Sequence, residues 1–324
     1  AELYERSFEK KPRPETAGKI IFARLQSGVM PDRRQILKYL AEYEKLDTKD
    51  FPKQRLIPYH MLQARARAYI GQEEQAKAQL DLAFELIGDD TDAARFFADE
   101  LFIALGTAPR AVDYLNTREK KSPLHPFLVV TRVRGKLASG EPPADVLKFA
   151  LAIDIKDMDE VTRFEHYRAI GQVAYLASEP KTCVEYYKKA LEISPENVQL
   201  NNDVAYSIAV DLNDPATGLT YAEKAVELMG DAVSSPVLDT LGWIQYLNKD
   251  RASAQKTLAK AVETARTQDQ ALIANCHLGL AQAADGDMAG ARRSLEAAEK
   301  AAKENAQAAE AFKDSLESLR KAVE

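Results

Sequence analysis

Four histidines, two cysteines and a scatter of carboxylate pairs are the residues here that could do chemistry, and their spacing argues against it. His60, His125, His166 and His277 lie far apart in the chain. His166 has Glu165 beside it, but no HExxH or other paired-ligand spacing follows that would hold a metal ion. His277 falls where a partly buried, hydrogen-bonded structural imidazole is expected. Cys183 and Cys276 each occupy a helix-packing position and read as small buried hydrophobes, not as a disulfide framework or a zinc site. The sequence has no GxxxxGK[ST] loop to cradle phosphates, no GxGxxG after a strand and no GxSxG elbow. Acid pairs such as Asp89-Asp90 sit in turns, where water solvates them. The expectation is therefore a non-enzyme with no catalytic residue, no metal site and no cofactor.

Charge narrows the partners. The net charge is −6 and the isoelectric point about 5.5, the wrong sign for a phosphate-binding footprint. Local basic clusters exist at Arg33-Arg34, Arg65 and Arg67, and "TRVRGK", but acidic neighbours surround them, as on ordinary mixed-charge helix faces. A hydrophobic share of 46% with 29% charged residues fits a folded, soluble region. No apolar run approaches the ~18 residues of a membrane helix. Nucleic-acid binding and direct membrane insertion are not expected. The chain begins at Ala1, as a processed or truncated form would, and its compartment, cytoplasmic or periplasmic, stays open.

What remains is the scaffold itself. "SSPVLDTLGWIQYLNKDRASAQKTLAKAVETA" (234–265) reads as two helices. Pro236 suits a first helical turn. Val237, Leu238, Leu241, Ile244 and Leu247 recur at helical spacing, "NKD" makes a polar turn with Asn248 as the stop, and Ala254, Leu258, Ala261 and Ala265 form a second stripe. The next stretch repeats this 37 residues on: Gly279, Ala291, Leu295 and Ala298 match Gly242, Ala254, Leu258 and Ala261. Upstream, Gly171, Cys183, Tyr187, Ala190 and Pro195 form one copy. Ala205, Gly218, Ala222 and Ala225 form another, with about one residue inserted in its turn. Four weaker copies precede these, marked by Gly71, Gly106 and Gly140 and, in the first, by "AGKIIFARLQSGVMPDRRQILKYLAEYEKL" with almost no consensus. A period of this size, one helical pair per unit, is the mark of a stacked helical array.

On these residues the chain resembles the tetratricopeptide repeat family: a small residue in each first helix (Gly171, Ala205, Gly242, Gly279), a leucine-like residue before it (Ile170, Val204, Leu241, Leu278) and a small–large–small set in the second helix. The resemblance is strong over 164–305 and thin before it. It implies an all-α, right-handed α-solenoid of about seven to eight helical hairpins. The expected organisation is an extended segment over 1–15, degenerate repeats over 16–163, repeats over 164–305 and a capping helix over 306–324, as one continuous solenoid. "ENAQAAEAFKDSLESLRKAVE" is expected to continue helical without a turn, with Phe312, Leu316 and Leu319 covering the last repeat.

The family binds proteins or peptides with side chains from the first helix of each pair, so the resemblance implies a scaffold or adaptor gripping a peptide or helix in a concave groove. The inward positions are Arg168, Asn202, Asp239 and Cys276 three before the small residue, Gln172, Tyr206, Trp243 and Leu280 just after it, and Tyr175, Ala209, Tyr246 and Ala283 four after it. Of these, Arg168, Gln172, Tyr175, Asn202, Tyr206, Asp239, Trp243 and Tyr246 are the groove candidates. Trp243, the only tryptophan, either contacts the guest or packs between repeats. Asn202 would bond a peptide backbone. Arg168 and Asn202 match only part of the family's clamp for a C-terminal carboxylate, and the next unit, with Pro236, Asp239 and Thr240, supplies no cation. The alternative functions are a subunit of a bacterial envelope, secretion or polysaccharide-export assembly and, further off, a helical-repeat enzyme domain.

Overall fold

The computed structural model describes residues 1–27 and 30–324. Gly28 and Val29, in the turn of the first hairpin read from the sequence, lie outside the described residues. No strand occurs among the described residues. The chain forms two compact units, Ala1–Ala169 and Ile170–Glu324, and each is built from antiparallel helical pairs.

The first unit contains α1 (Glu2–Lys10), α2 (Pro14–Gln26), α3 (Arg33–Tyr43), α4 (Lys53–Ile70), α5 (Glu73–Glu85), α6 (Thr91–Leu105), α7 (Ala108–Glu119), α8 (Pro126–Ala138), α9 (Pro143–Leu151) and most of α10 (Glu160–Leu176). Helices pair as α2–α3, α4–α5, α6–α7 and α8–α9, while α2, α4, α6 and α8 touch in succession. The stretch expected to be extended over 1–15 is instead mostly helical. Phe8 is buried edge-on to Tyr39, ring centres 5.3 Å apart, and Arg24 grips Glu5 through two bonds of 2.8 Å. Pro12 and Pro14 interrupt the helix only after that anchor is made. Two of the basic clusters are spent on structure: Arg65 donates to the Leu25 carbonyl, Arg67 pairs with Glu44, and buried Arg132 pairs with Glu119, while Arg33 and Arg34 stay exposed. His166 is buried, and burial pushes its imidazole down to about 4, so it stays neutral at ordinary pH.

The second unit continues α10 and adds α11 (Pro180–Ile193), α12 (Val198–Tyr206), α13 (Pro215–Met229), α14 (Ser235–Leu247), α15 (Arg251–Thr264), α16 (Gln268–Ala284), α17 (Met288–Glu304), α18 (Ala306–Ala311) and α19 (Lys313–Val323). Its pairs are α10–α11, α12–α13, α14–α15 and α16–α17, so eight hairpins stand among the described residues. The turns repeat as closely as the helices. Gly71, Gly106, Gly140, Ser178, Asn213, Lys249 and Gly286 all take positive φ, one per hairpin from the second to the eighth. In the last three hairpins the following residue, Asp214, Asp250 or Asp287, caps the second helix by accepting from a backbone N–H. In "NKD", then, Asn248 ends the helix but Lys249 makes the left-handed step.

The extra residue of the Ala205 copy is not in its turn. The left-handed residue follows the small residue by seven positions at Gly171, Gly242 and Gly279 but by eight at Ala205. A π-helical turn over Ser207–Asp211 absorbs the difference at the end of the first helix.

The small residues of the first helices all sit where another helix crosses closely, the second helix of the hairpin at Gly171, Ala205 and Gly242 and α19 at Gly279. A Cβ on Gly171 would meet the Tyr187 ring at 2.3 Å; on Gly242, Leu258 Cγ at 2.6 Å; and on Gly279, Leu319 at 2.7 Å. At Ala205 the contact is reciprocal, since its carbonyl lies 2.8 Å from where Gly218 would carry a Cβ. Gly242→Ala gains up to about 1 kcal/mol of helix propensity but forces Leu258, fully buried, to move at about 1–3 kcal/mol. Overpacking wins, and a net loss of about 1–2 kcal/mol is expected in urea unfolding followed by Trp243 fluorescence. An unchanged or raised midpoint would mean that the two axes do not meet here.

The C-terminal segment was expected as one unbroken helix. It breaks at Asn305, whose backbone is extended and whose side chain caps α18, and again at Phe312. The break folds α18 and α19 back onto α16 and α17, burying Ala308, Leu316, Leu319 and Val323. No helix among the described residues is long and apolar enough to cross a membrane.

Candidate partner-binding site

The first helices of the second unit line a cavity of about 670 Å³. Residues four apart on a helix share a face, and that spacing sets the lining: Asn202 and Tyr206 on α12, Ser235 and Asp239 on α14, Ile273 and His277 on α16. Tyr175 comes from the end of α10, and Phe312, Asp314 and Ser315 come from the C-terminal segment.

Two polar groups in this lining have no partner. Asn202 keeps only 8% of its surface and Ser235 only 2%, yet Asn202 Oδ1 and Ser235 Oγ are buried without a hydrogen bond. Beside them, His277 Nδ1 lies 2.9 and 3.0 Å from the two Asp239 carboxylate oxygens, both side chains buried, so the ring nitrogen donates to the carboxylate. Burial, reinforced by nearby Tyr175, Asp211 and Asp239, pushes the Tyr206 phenol up to about 12, and burial raises Tyr175 as well. Both stay neutral and able to donate.

Of the eight expected groove residues, Tyr175, Asn202, Tyr206 and Asp239 come together here, and four do not. Arg168 falls in the first unit, where Glu165 takes its guanidinium at 2.7 Å. Gln172 is exposed and does not line the cavity. Trp243 is half-buried, stacked on Tyr246 (4.9 Å, 22°) on one side and on His277 (4.2 Å, 13°) on the other. Trp243 and Tyr246 thus back the His277 ring without lining the cavity. On α16 the register slips by one: Cys276, at the matching position, is fully buried, and His277 faces the cavity in its place. The histidine read as structural is bonded as expected, yet it also forms wall. Asp269 and the C-terminal residues were missed. Asp269 could have been found on the Ile273–His277 face, whereas nothing in the local pattern reports the fold-back that delivers Phe312 and Asp314.

Both cysteines are buried thiols that stay protonated at ordinary pH. Burial pushes the Cys183 thiol up to about 11, offset in part by its contact with the Ser207 hydroxyl at 3.8 Å, and the Cys276 thiol up to about 12. Among the described residues no three histidine, cysteine, aspartate or glutamate side chains gather into a metal-holding group.

The first unit has its own trough of about 560 Å³ over α2, α4 and α6, where Phe22, Tyr43, Phe51, Tyr59 and Phe96 converge. It is more apolar than the cavity of the second unit. Burial pushes the Tyr43 phenol up to about 12 and raises the Glu100 carboxyl.

No protein-family model matches the sequence, and no curated protein is significantly similar to it. Solved structures do match. The apo form of RapI is similar over 77% of this chain and 77% of its own, with a TM-score of 0.52 at 14% identity. BtubC from P. vanneervenii matches over 60% of this chain and 87% of its own (TM-score 0.47, 18% identity). The C-terminal part of a TPR repeat-containing protein from Cytophaga hutchinsonii matches over 78% and 95% (TM-score 0.47, 12% identity). At such identities the RapI likeness is one of fold. The fold is an all-α array of tetratricopeptide-type helical hairpins.

Proposed function

We propose that this helical-repeat chain is an interaction scaffold that holds a peptide segment of a partner protein against the first helices of its second unit. The observation carrying this reading is the unsatisfied lining: Asn202 Oδ1 and Ser235 Oγ are buried without partners at a cavity large enough for several side chains. An unmet buried polar group costs about 1–3 kcal/mol, and such a cost is tolerable where a guest supplies the missing bond. A peptide backbone N–H suits Asn202, and the half-exposed Tyr175 ring offers apolar area and a hydroxyl. The reading is one of binding without catalysis.

Asn202→Ala separates this role from a structural one. Peptides selected on the wild-type protein from a random phage-displayed library would lose about tenfold or more in affinity for the variant. Its urea midpoint would hold or rise, because the oxygen removed has no intramolecular bond to lose. Selected peptides that bind Asn202→Ala and Tyr175→Ala as tightly as wild type would overturn the proposal.

A further inference from the structure

The cavity of the second unit has a charge that says what it accepts. Asp203, Asp239, Asp269 and Asp314 reach its lining from α12, α14, α16 and α19, and no lysine or arginine lines it. Asp239 is engaged by His277, and Asp203 accepts from Gln199 at 2.7 Å. The Asp269 and Asp314 carboxylates stand exposed at the rim. Deeper in, the unpartnered buried atoms are the amide oxygen of Asn202, which only accepts, and the hydroxyl of Ser235, which can do so. Aromatic faces from Tyr175, Tyr206 and Phe312 complete the lining.

We infer that this cavity receives a lysine or arginine side chain of the bound peptide. The inference rests on the reading of the cavity as a partner site and specifies the partner's chemistry. An ammonium or guanidinium group carries only donors, three or five of them, which matches a lining whose unmet polar atoms are acceptors. Carboxylates at the rim attract the cation before contact, and the tyrosine and phenylalanine rings favour it once inside. A carboxylate guest meets the opposite conditions: four like charges and no cation to pair with. The site is therefore the electrostatic inverse of a clamp for a peptide C-terminus.

The test uses the peptides selected on the full chain. Enrichment of arginine or lysine at one position is expected. Citrulline at that position, which keeps the shape of arginine without its charge, weakens binding about 10- to 100-fold, the range of a charge-assisted bond. The triple variant Asp203→Asn/Asp269→Asn/Asp314→Asn weakens it comparably while the midpoint of unfolding falls only slightly, since none of the three carboxylates is buried and the two on α16 and α19 serve the fold only as first-turn acids. Raising the salt concentration weakens it further. Peptides that lack a basic residue, still depend on Asn202 and tolerate the triple variant would overturn the inference and leave the binding site standing. Peptides indifferent to Asn202 and Tyr175 as well would remove both.

Discussion

Phe97→Ala is expected to lower the stability of the protein by about 3–5 kcal/mol, the usual cost of truncating a buried aromatic ring. Phe97 is fully buried in the middle of α6. Its ring meets Phe84 edge-on at 6.0 Å and Tyr114 at 6.3 Å. Around that trio the polar groups are tied down as well: the Tyr114 hydroxyl donates to Asp81 at 2.9 Å, and the Arg118 guanidinium lies 4.4 Å over the Phe84 ring while pairing with Asp81 and Glu85. Collapse into the hole would have to break these bonds, so the gap stays largely open. Total stabilities run to about 5–15 kcal/mol, which makes this a loss of roughly a fifth or more. Urea unfolding followed by far-ultraviolet circular dichroism measures it. A loss under about 1 kcal/mol would mean that the aromatic cluster does not hold the first unit together.

Asp239→Ala is expected to cost about 2–4 kcal/mol, because it strands the His277 Nδ1–H in a buried site. The magnitude follows from burial and not from the pairing alone. Glu310 and Lys313 approach to 2.6 Å, but both side chains are more than 60% exposed, and water and salt screen such a pair so well that breaking it changes stability little. Asp239→Asn keeps an acceptor in place and should lose roughly half as much. Trp243, the only tryptophan and stacked on the His277 ring, reports the change directly when urea unfolding is followed by fluorescence. Equal losses for Asp239→Ala and Asp239→Asn would show that an uncharged acceptor of the same size retains nothing, so that the charge of the carboxylate is what the side chain contributes.

The hairpins were legible in the sequence because two axes can cross closely only where side chains are small. That constraint falls on the same places in every copy, as at Gly171, Ala205, Gly242 and Gly279. Even the thin copies betray themselves at Gly71, Gly106 and Gly140, where the chain must take a left-handed step. Asn213 makes the same step with the residue that tolerates it best after glycine, whereas Ser178 and Lys249 make it with no residue preference to announce it. The π-helical turn was out of reach for a related reason: an inserted residue shows in the count between Ala205 and Gly218, but which backbone bonds stretch to absorb it does not. The site was half legible. Asn202, Tyr206 and Asp239 follow from helix periodicity, whereas the slip from Cys276 to His277 shows only in the packing that buries the cysteine. Phe8 shows the same limit at the other end, since its short helix persists only because Tyr39 and Arg24 wait to receive it.

The break at Phe312 has a practical consequence. Because the chain turns back there, the stretch from Phe312 to Glu324 lines the cavity of the second unit through Phe312, Asp314 and Ser315 while it covers the last hairpin. A fusion or a cut placed in that stretch would reshape the cavity even where every upstream hairpin remains intact.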